Sequence, residues 1–201
     1  MSTLRTDLQI IADLIQPNTQ VLDVGCGDGQ LLSWLAAHKN VHARGLEAEL
    51  KLVRKCVETG VAVVQGDAEV DLEYYPKKSY DYVVLSRTLQ TMLDPQMILN
   101  QIVDIGKQAI VSIPNFAYWK NRLYLGFKGR MPVTSTLTYE WYNTPNIHFC
   151  TLKDFVVLCQ QNGIQIHQQL FVTSKGVRIR QDTGLSLANL TAEQGIFVIS
   201  R

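Results

Sequence analysis

The sequence carries almost no charge imbalance and no paired cysteines. Nineteen Lys+Arg face eighteen Asp+Glu across 201 residues, a formal net charge of +1. A general nucleic-acid binder needs many cations to displace counterions from phosphates, so the balance argues against that class. The four cysteines (Cys26, Cys56, Cys150, Cys159) are scattered with no CxxC spacing. Neither a zinc site nor a disulfide framework fits them, and free thiols in a reducing compartment are expected. No apolar run approaches membrane-spanning length. Near the N-terminus Asp7 and Asp13 interrupt Leu4, Leu8, Ile11 and Leu14, which rules out the continuous apolar core of a signal peptide. The expectation is a cytoplasmic protein with no membrane or nucleic-acid partner. Repeats and low-complexity tracts are absent too, and the length suits one domain over residues 1–201.

What is there is an alternation of strands and helices. Leu4 to Ile15 has the spacing of an amphipathic helix, ended by Pro17-Asn18. Gln20 to Val24 is a short apolar strand that enters Gly25-Cys26-Gly27-Asp28-Gly29, and Gln30 to His38 follows as a helix. A second strand ends near Leu46-Glu47, and a helix from Ala48 to Glu58 stops at Gly60. Val61 to Val64 is a third strand, leading to Gly66-Asp67-Ala68; Tyr80 to Ser86 is a fourth, solidly apolar as a strand covered on both faces should be. Asp94-Pro95 opens a helix running to Ile105 with Gly106 as its cap, and Ala109 to Ile113 is a fifth strand. A helix over Leu152 to Gln161 and strands at Ile164 to Val172 and Gly195 to Ser200 complete the set. This order predicts an α/β fold with a doubly wound, mostly parallel, Rossmann-like sheet.

Residues 114–147 do not fit the alternation. They are too long for a plain connection and hold a concentration of aromatics, among them Phe116, Trp119, Phe127, Tyr139, Trp141 and Tyr142. Such an insertion serves as a lid or a contact surface. Phe116, Trp119, Leu123 and Phe127 share one helical face beside Lys120, Arg122, Lys128 and Arg130; that stripe either packs on the sheet or, if exposed, meets a partner.

Ligands of open α/β sheets bind at the carboxyl ends of the strands, where strand order reverses. The first glycine turn lies there. A dinucleotide fingerprint would place its third glycine at position 30, which is Gln30; the glycines fall instead at 25, 27 and 29, preceded by Asp23. This pattern looks like the first motif of class I S-adenosylmethionine-dependent methyltransferases. In that family the acid and the turn backbone (Asp23, Gly25, Cys26, Gly27) hold the methionine end of the cofactor. Glu47 can accept from both ribose hydroxyls. Asp67 and the Ala68 amide resemble the family's adenine clamp, and Ser86 closes the set at the end of the fourth strand. Taken singly, each acid has a plainer use: Asp23 and Asp67 as caps, Glu47 as a solvated first-turn carboxylate. Cys26 has no histidine placed to activate it. Methyl transfer from a sulfonium needs alignment more than acid–base groups, and the only catalytic candidates are His148, Tyr139, Glu140 and Tyr142. His148 precedes Thr151, a natural cap for the next helix, so it has a structural reading as well. No metal site is expected.

Over nearly its whole length the chain resembles the methionine-biosynthesis MetW family. The match lies in VLDVGCGDGQLL, YDYVVLSRTLQ, AIVSIPNFAYWKNRL and, most specifically, MPVT…YEWYNTPNIHFCTLKDF. The resemblance implies a seven-stranded class I methyltransferase sheet with an antiparallel last strand. It further implies bound S-adenosylmethionine or S-adenosylhomocysteine and work beside a homoserine O-acyltransferase, acetyl- or succinyl-transferring. Two roles stay open: an accessory or regulatory subunit docked through the insertion, or an active methyltransferase on a small metabolite. Arg87-Thr88 departs from the polar or aromatic pair usual in active small-molecule methyltransferases. Oligomeric state is left open.

Overall fold

The fold is that of a computed structural model, which describes residues 4–134, 137–173 and 184–201. The chain runs α1 (Thr6–Leu14), β1 (Gln20–Val24), α2 (Gln30–Lys39), β2 (His42–Glu47), α3 (Leu50–Glu58), β3 (Val63–Gln65), the single turn α4 (Ala68–Asp71), β4 (Tyr80–Ser86), α5 (Pro95–Ile105), β5 (Gly106–Pro114), α6 (Trp119–Lys128), α7 (Leu152–Gln161), β6 (Gln165–Val172), α8 (Leu185–Thr191) and β7 (Gln194–Ser200). The seven strands form one sheet in the order β3-β2-β1-β4-β5-β7-β6. Every pairing from β3 to β5 is parallel, and β7 runs antiparallel to both neighbours, as expected.

Alternate side chains of each strand point to opposite faces, and both faces are dry. On one, Val83, Leu85 and Val111 meet Ile98, Leu99 and Ile102 of α5 and Leu152 and Phe155 of α7. On the other, Val84, Ile110 and Val198 meet Ile11 and Ile15 from the α1 side and Leu31 and Leu35 of α2. Two-sided burial explains why β4 reads as a continuous apolar run rather than an alternating one. The chain leaves β1 outward to β3 and returns to β4. The β1/β4 boundary is therefore the switch point, with the glycine turn at its carboxyl end.

One local boundary is corrected, and two other local features are made specific. The third strand is Val63–Gln65, two residues later than Val61. Gly106 caps α5 as expected, its amide donating to the Ile102 carbonyl, and with φ −91° it also begins β5. A Cβ there would lie 2.9 Å from a Val83 methyl and 2.6 Å from the Gln108 carbonyl, so glycine is required for close approach. The stripe on α6 does not pack on the sheet. Trp119, Leu123 and Phe127 are exposed, and Asn121 is the one buried residue of that helix. Of the expected insertion, Ser135 and Thr136 lie outside the described residues. No helix among the described residues is long and apolar enough to cross a membrane.

Candidate functional site

The glycine turn is built by backbone that other residues avoid. Gly25, Gly27 and Gly29 have φ of 71°, 62° and 76°, in the left-handed region where a side chain costs strain. The turn then enters α2. A Cβ on Gly27 would meet nothing within 4 Å, so open space lies above it. At Gly25 the space is filled: Thr88 Cγ2 and Oγ1 would lie 2.6 and 2.8 Å from such a Cβ. Thr88, two residues beyond Ser86, therefore seals the turn from the β4 side.

Three sequence-predicted acids end on or just after neighbouring strands. Asp23 is the fourth residue of β1, Glu47 the last of β2, and Asp67 follows β3. Glu47 is buried and spans the gap between strands: Oε2 accepts the Gly27 amide at 2.8 Å and Oε1 the Glu49 amide at 2.9 Å. Each oxygen keeps a second lone pair for an incoming hydroxyl. Asp23 is 3% exposed, and its Oδ1 has no hydrogen-bond partner. Burial, then the neighbouring Glu47 charge, push its carboxyl up to about 7, with Arg5 opposing. An orphaned buried carboxyl of this kind is an acceptor awaiting a donor or a cation. Asp67 is exposed; its Oδ1 accepts the Glu69 amide at 3.0 Å, so it caps α4, with Ala68 buried beneath.

Ser86 lies farther along the β5 side. Its hydroxyl is 3.4 Å from that of Ser112, which also accepts the Arg87 amide at 3.1 Å. Cys26 is buried and its thiol pushed up, first by burial and then by Asp23, so it is no nucleophile. The Cys56 thiol donates to the Gly27 carbonyl at 3.2 Å and supports the turn from below.

The sequence reading missed a charged cluster beside this turn. Arg87 has a left-handed φ of 57°, and its guanidinium donates to Gln194 Oε1 at 2.8 Å. Its Nε lies 3.1 Å from Asp7 Oδ2, and Arg5 Nε lies 2.6 Å from Asp7 Oδ1. Burial alone would raise the Asp7 carboxyl; Arg5 and Arg87 outweigh it and hold it below its ordinary value. The lone Asp7 in a helix otherwise apolar on that face was the available signal. Among the catalytic candidates, His148 Nε2 is 3.3 Å from the Leu93 carbonyl, while Tyr139, Glu140 and Tyr142 are exposed. Thr151 and Asp154 form a capping box that starts α7, which is the structural role expected there. No cluster of possible metal ligands occurs among the described residues.

A family model described as "Methionine biosynthesis protein MetW" matches residues 5–199. A curated relative from Rhodopirellula baltica, the bifunctional methionine biosynthesis protein MetXA/MetW, is 31% identical over 99% of this chain. The chain spans about a third of that relative's length (33%). Among solved structures, a Thermotoga maritima S-adenosylmethionine-dependent methyltransferase, described as a possible histamine N-methyltransferase, superposes with TM-score 0.68 at 19% identity, covering 97% of this chain and 87% of that one. The [4+2]-cyclase SpnF superposes with TM-score 0.66 at 17% identity, covering 98% of this chain and 80% of its own. These likenesses fix the class I methyltransferase fold. One of them is a cyclase, so the fold alone does not name a reaction.

Proposed function

The chain belongs to the MetW family of methionine biosynthesis proteins, and on that premise we propose that it binds S-adenosylmethionine or S-adenosylhomocysteine and serves as an accessory or regulatory subunit of a homoserine O-acyltransferase in the cytoplasm. The observations that carry the cofactor reading are the buried, unpartnered Asp23 Oδ1, the open space over Gly27 and the Glu47 carboxylate held on the Gly27 amide. The donor set fits the group. Glu47 would accept the ribose hydroxyls, Asp67 and the Ala68 amide would meet the adenine edge, and Asp23 with the Gly25–Gly27 backbone would face the methionine end. Ser86, at the end of β4, would complete the set. When bound, the cofactor supplies a methyl activated on a sulfonium.

The partner reading rests on the MetXA/MetW relative, which carries both names in one polypeptide. Because S-adenosylmethionine is made from the pathway's product, its occupancy would report methionine supply to the acyltransferase. Acyl transfer measured in the complex with and without S-adenosylmethionine tests this: turnover changes with the cofactor, and indifference contradicts it. A second reading is methyl transfer to a small metabolite. It is favoured by a groove of about 510 Å³ lined by Gln90, Asp94, His148 and Phe155, just past the end of β4. S-adenosylhomocysteine formed in equal amount with a methylated metabolite would establish it.

A further inference from the structure

Among the described residues, eleven of twenty exposed large apolar side chains lie between Trp119 and Phe149, so exposed apolar surface is concentrated in one segment. Soluble proteins rarely leave such a concentration uncovered. The start of α6 is anchored to the body of the fold. Asn115 donates to the Asn189 and Ala192 carbonyls at 2.9 and 2.8 Å, and Asn121 and Arg122 tie the first turn of α6 to the carbonyls of residues 115–117. Beyond that anchor Trp119, Leu123 and Phe127 recur every fourth residue along α6, with Phe127 84% exposed. The charge is one-sided as well. No acid occurs between Trp119 and Tyr139, whereas Lys120, Arg122, Lys128 and Arg130 do.

We infer that α6 is the surface on which the acyltransferase docks, its Trp119–Leu123–Phe127 stripe entering an apolar groove with an acidic rim. This rests on the accessory-subunit reading above. Charge complementarity selects the occupant. A second copy of this chain would oppose cation to cation across the stripe. A helix lying on a bilayer separates its charges from its apolar face, but here Lys120 sits 5.6 Å from the Trp119 ring centroid, and Tyr124 and Leu125 are exposed off the stripe. Aromatics with interspersed Arg are the composition of protein-binding anchors.

The test is titration of the full chain into a homoserine O-acyltransferase from the same source. Phe127→Asp and Leu123→Asp are each expected to weaken association at least about tenfold, as truncation of an interface anchor does. Val57→Asp, at an exposed apolar residue of α3 whose exposure lies between those of Leu123 and Phe127, leaves it unaltered. Lys128→Glu weakens it more at low salt than at high salt. Circular dichroism melting of each variant reports whether the fold is kept. Wild-type affinity in both stripe variants overturns the docking surface and leaves the accessory role standing; absence of association by the wild-type chain overturns both. A dimer of this chain alone, or binding to vesicles of anionic phospholipid, that is lost in Phe127→Asp would reassign the surface and overturn the inference.

Discussion

Glu47 Oε2 accepts the Gly27 amide at 2.8 Å, so the acid that ends β2 clasps the glycine turn leaving β1. Its other oxygen holds the Glu49 amide, so one carboxylate sets the shape of the turn and presents an acceptor edge above it.

Glu47→Ala should therefore reduce both stability and cofactor affinity. Two amides lose a charged acceptor, and the ligand loses hydrogen bonds each worth about 1.5–3 kcal/mol. Asp67→Ala separates the two effects. Asp67 is exposed and caps a single turn, so melting falls little, by about 0.5–1 kcal/mol, while affinity falls as far as in Glu47→Ala. Calorimetric titration beside thermal melting reads the difference.

Gly25→Ala and Gly27→Ala should also part. Both positions have left-handed φ, which costs an L residue about 1–2 kcal/mol. At Gly25 the added methyl collides with Thr88, so the protein loses further stability. At Gly27 the methyl enters open space, so the further loss is in ligand affinity. Equal affinities in wild type and Gly27→Ala would place the ligand elsewhere.

The buried Asp23 makes stability and binding depend on pH in opposite directions. Its folded carboxyl, pushed up to about 7, lies above the ordinary value of 3.8. The cost of charging it is absent below 3.8, grows between 3.8 and about 7, and is complete above that. Stability of the ligand-free protein from this group thus declines as pH rises through that window, and Asp23→Asn flattens the decline. A cationic ligand favours the carboxylate, so its affinity rises as pH is taken up through about 7. The variant loses this slope.

Asp7 and Arg87 join α1 to the end of β4. Removing one partner strands the other, which costs about 3–5 kcal/mol when fully buried. The Asp7 side chain is 4% exposed and that of Arg87 32%, so Asp7→Asn is expected to cost about 2–3 kcal/mol. A double-mutant cycle with Arg87→Gln measures the coupling; additive losses would show the pair to be independent.

The succession of strands and helices was legible because each strand carries its own pattern and punctuation. Tyr80–Ser86 is as apolar as its two-sided burial requires, and the turn after Val24 needs three positive-φ glycines in alternate positions. The acids were legible as types at strand ends. Their partners were not. Nothing local in Glu47 announces that it reaches Gly27, since the contact exists only once β1 and β2 lie side by side. The same holds for Arg87, whose partners Asp7 and Gln194 come from the two ends of the chain. Whether the aromatic stripe of α6 is covered or bare is likewise a tertiary fact: periodicity makes a helix with an apolar face and leaves open what that face touches.

The most direct measurement is calorimetric titration of S-adenosylmethionine into the wild-type chain and into Glu47→Ala and Asp67→Ala. One saturable site in the wild type, weakened at least about tenfold in each variant, is the predicted result. Absence of binding by the wild type, or equal affinity in all three proteins, would contradict an adenosyl site at the carboxyl ends of β1, β2 and β3.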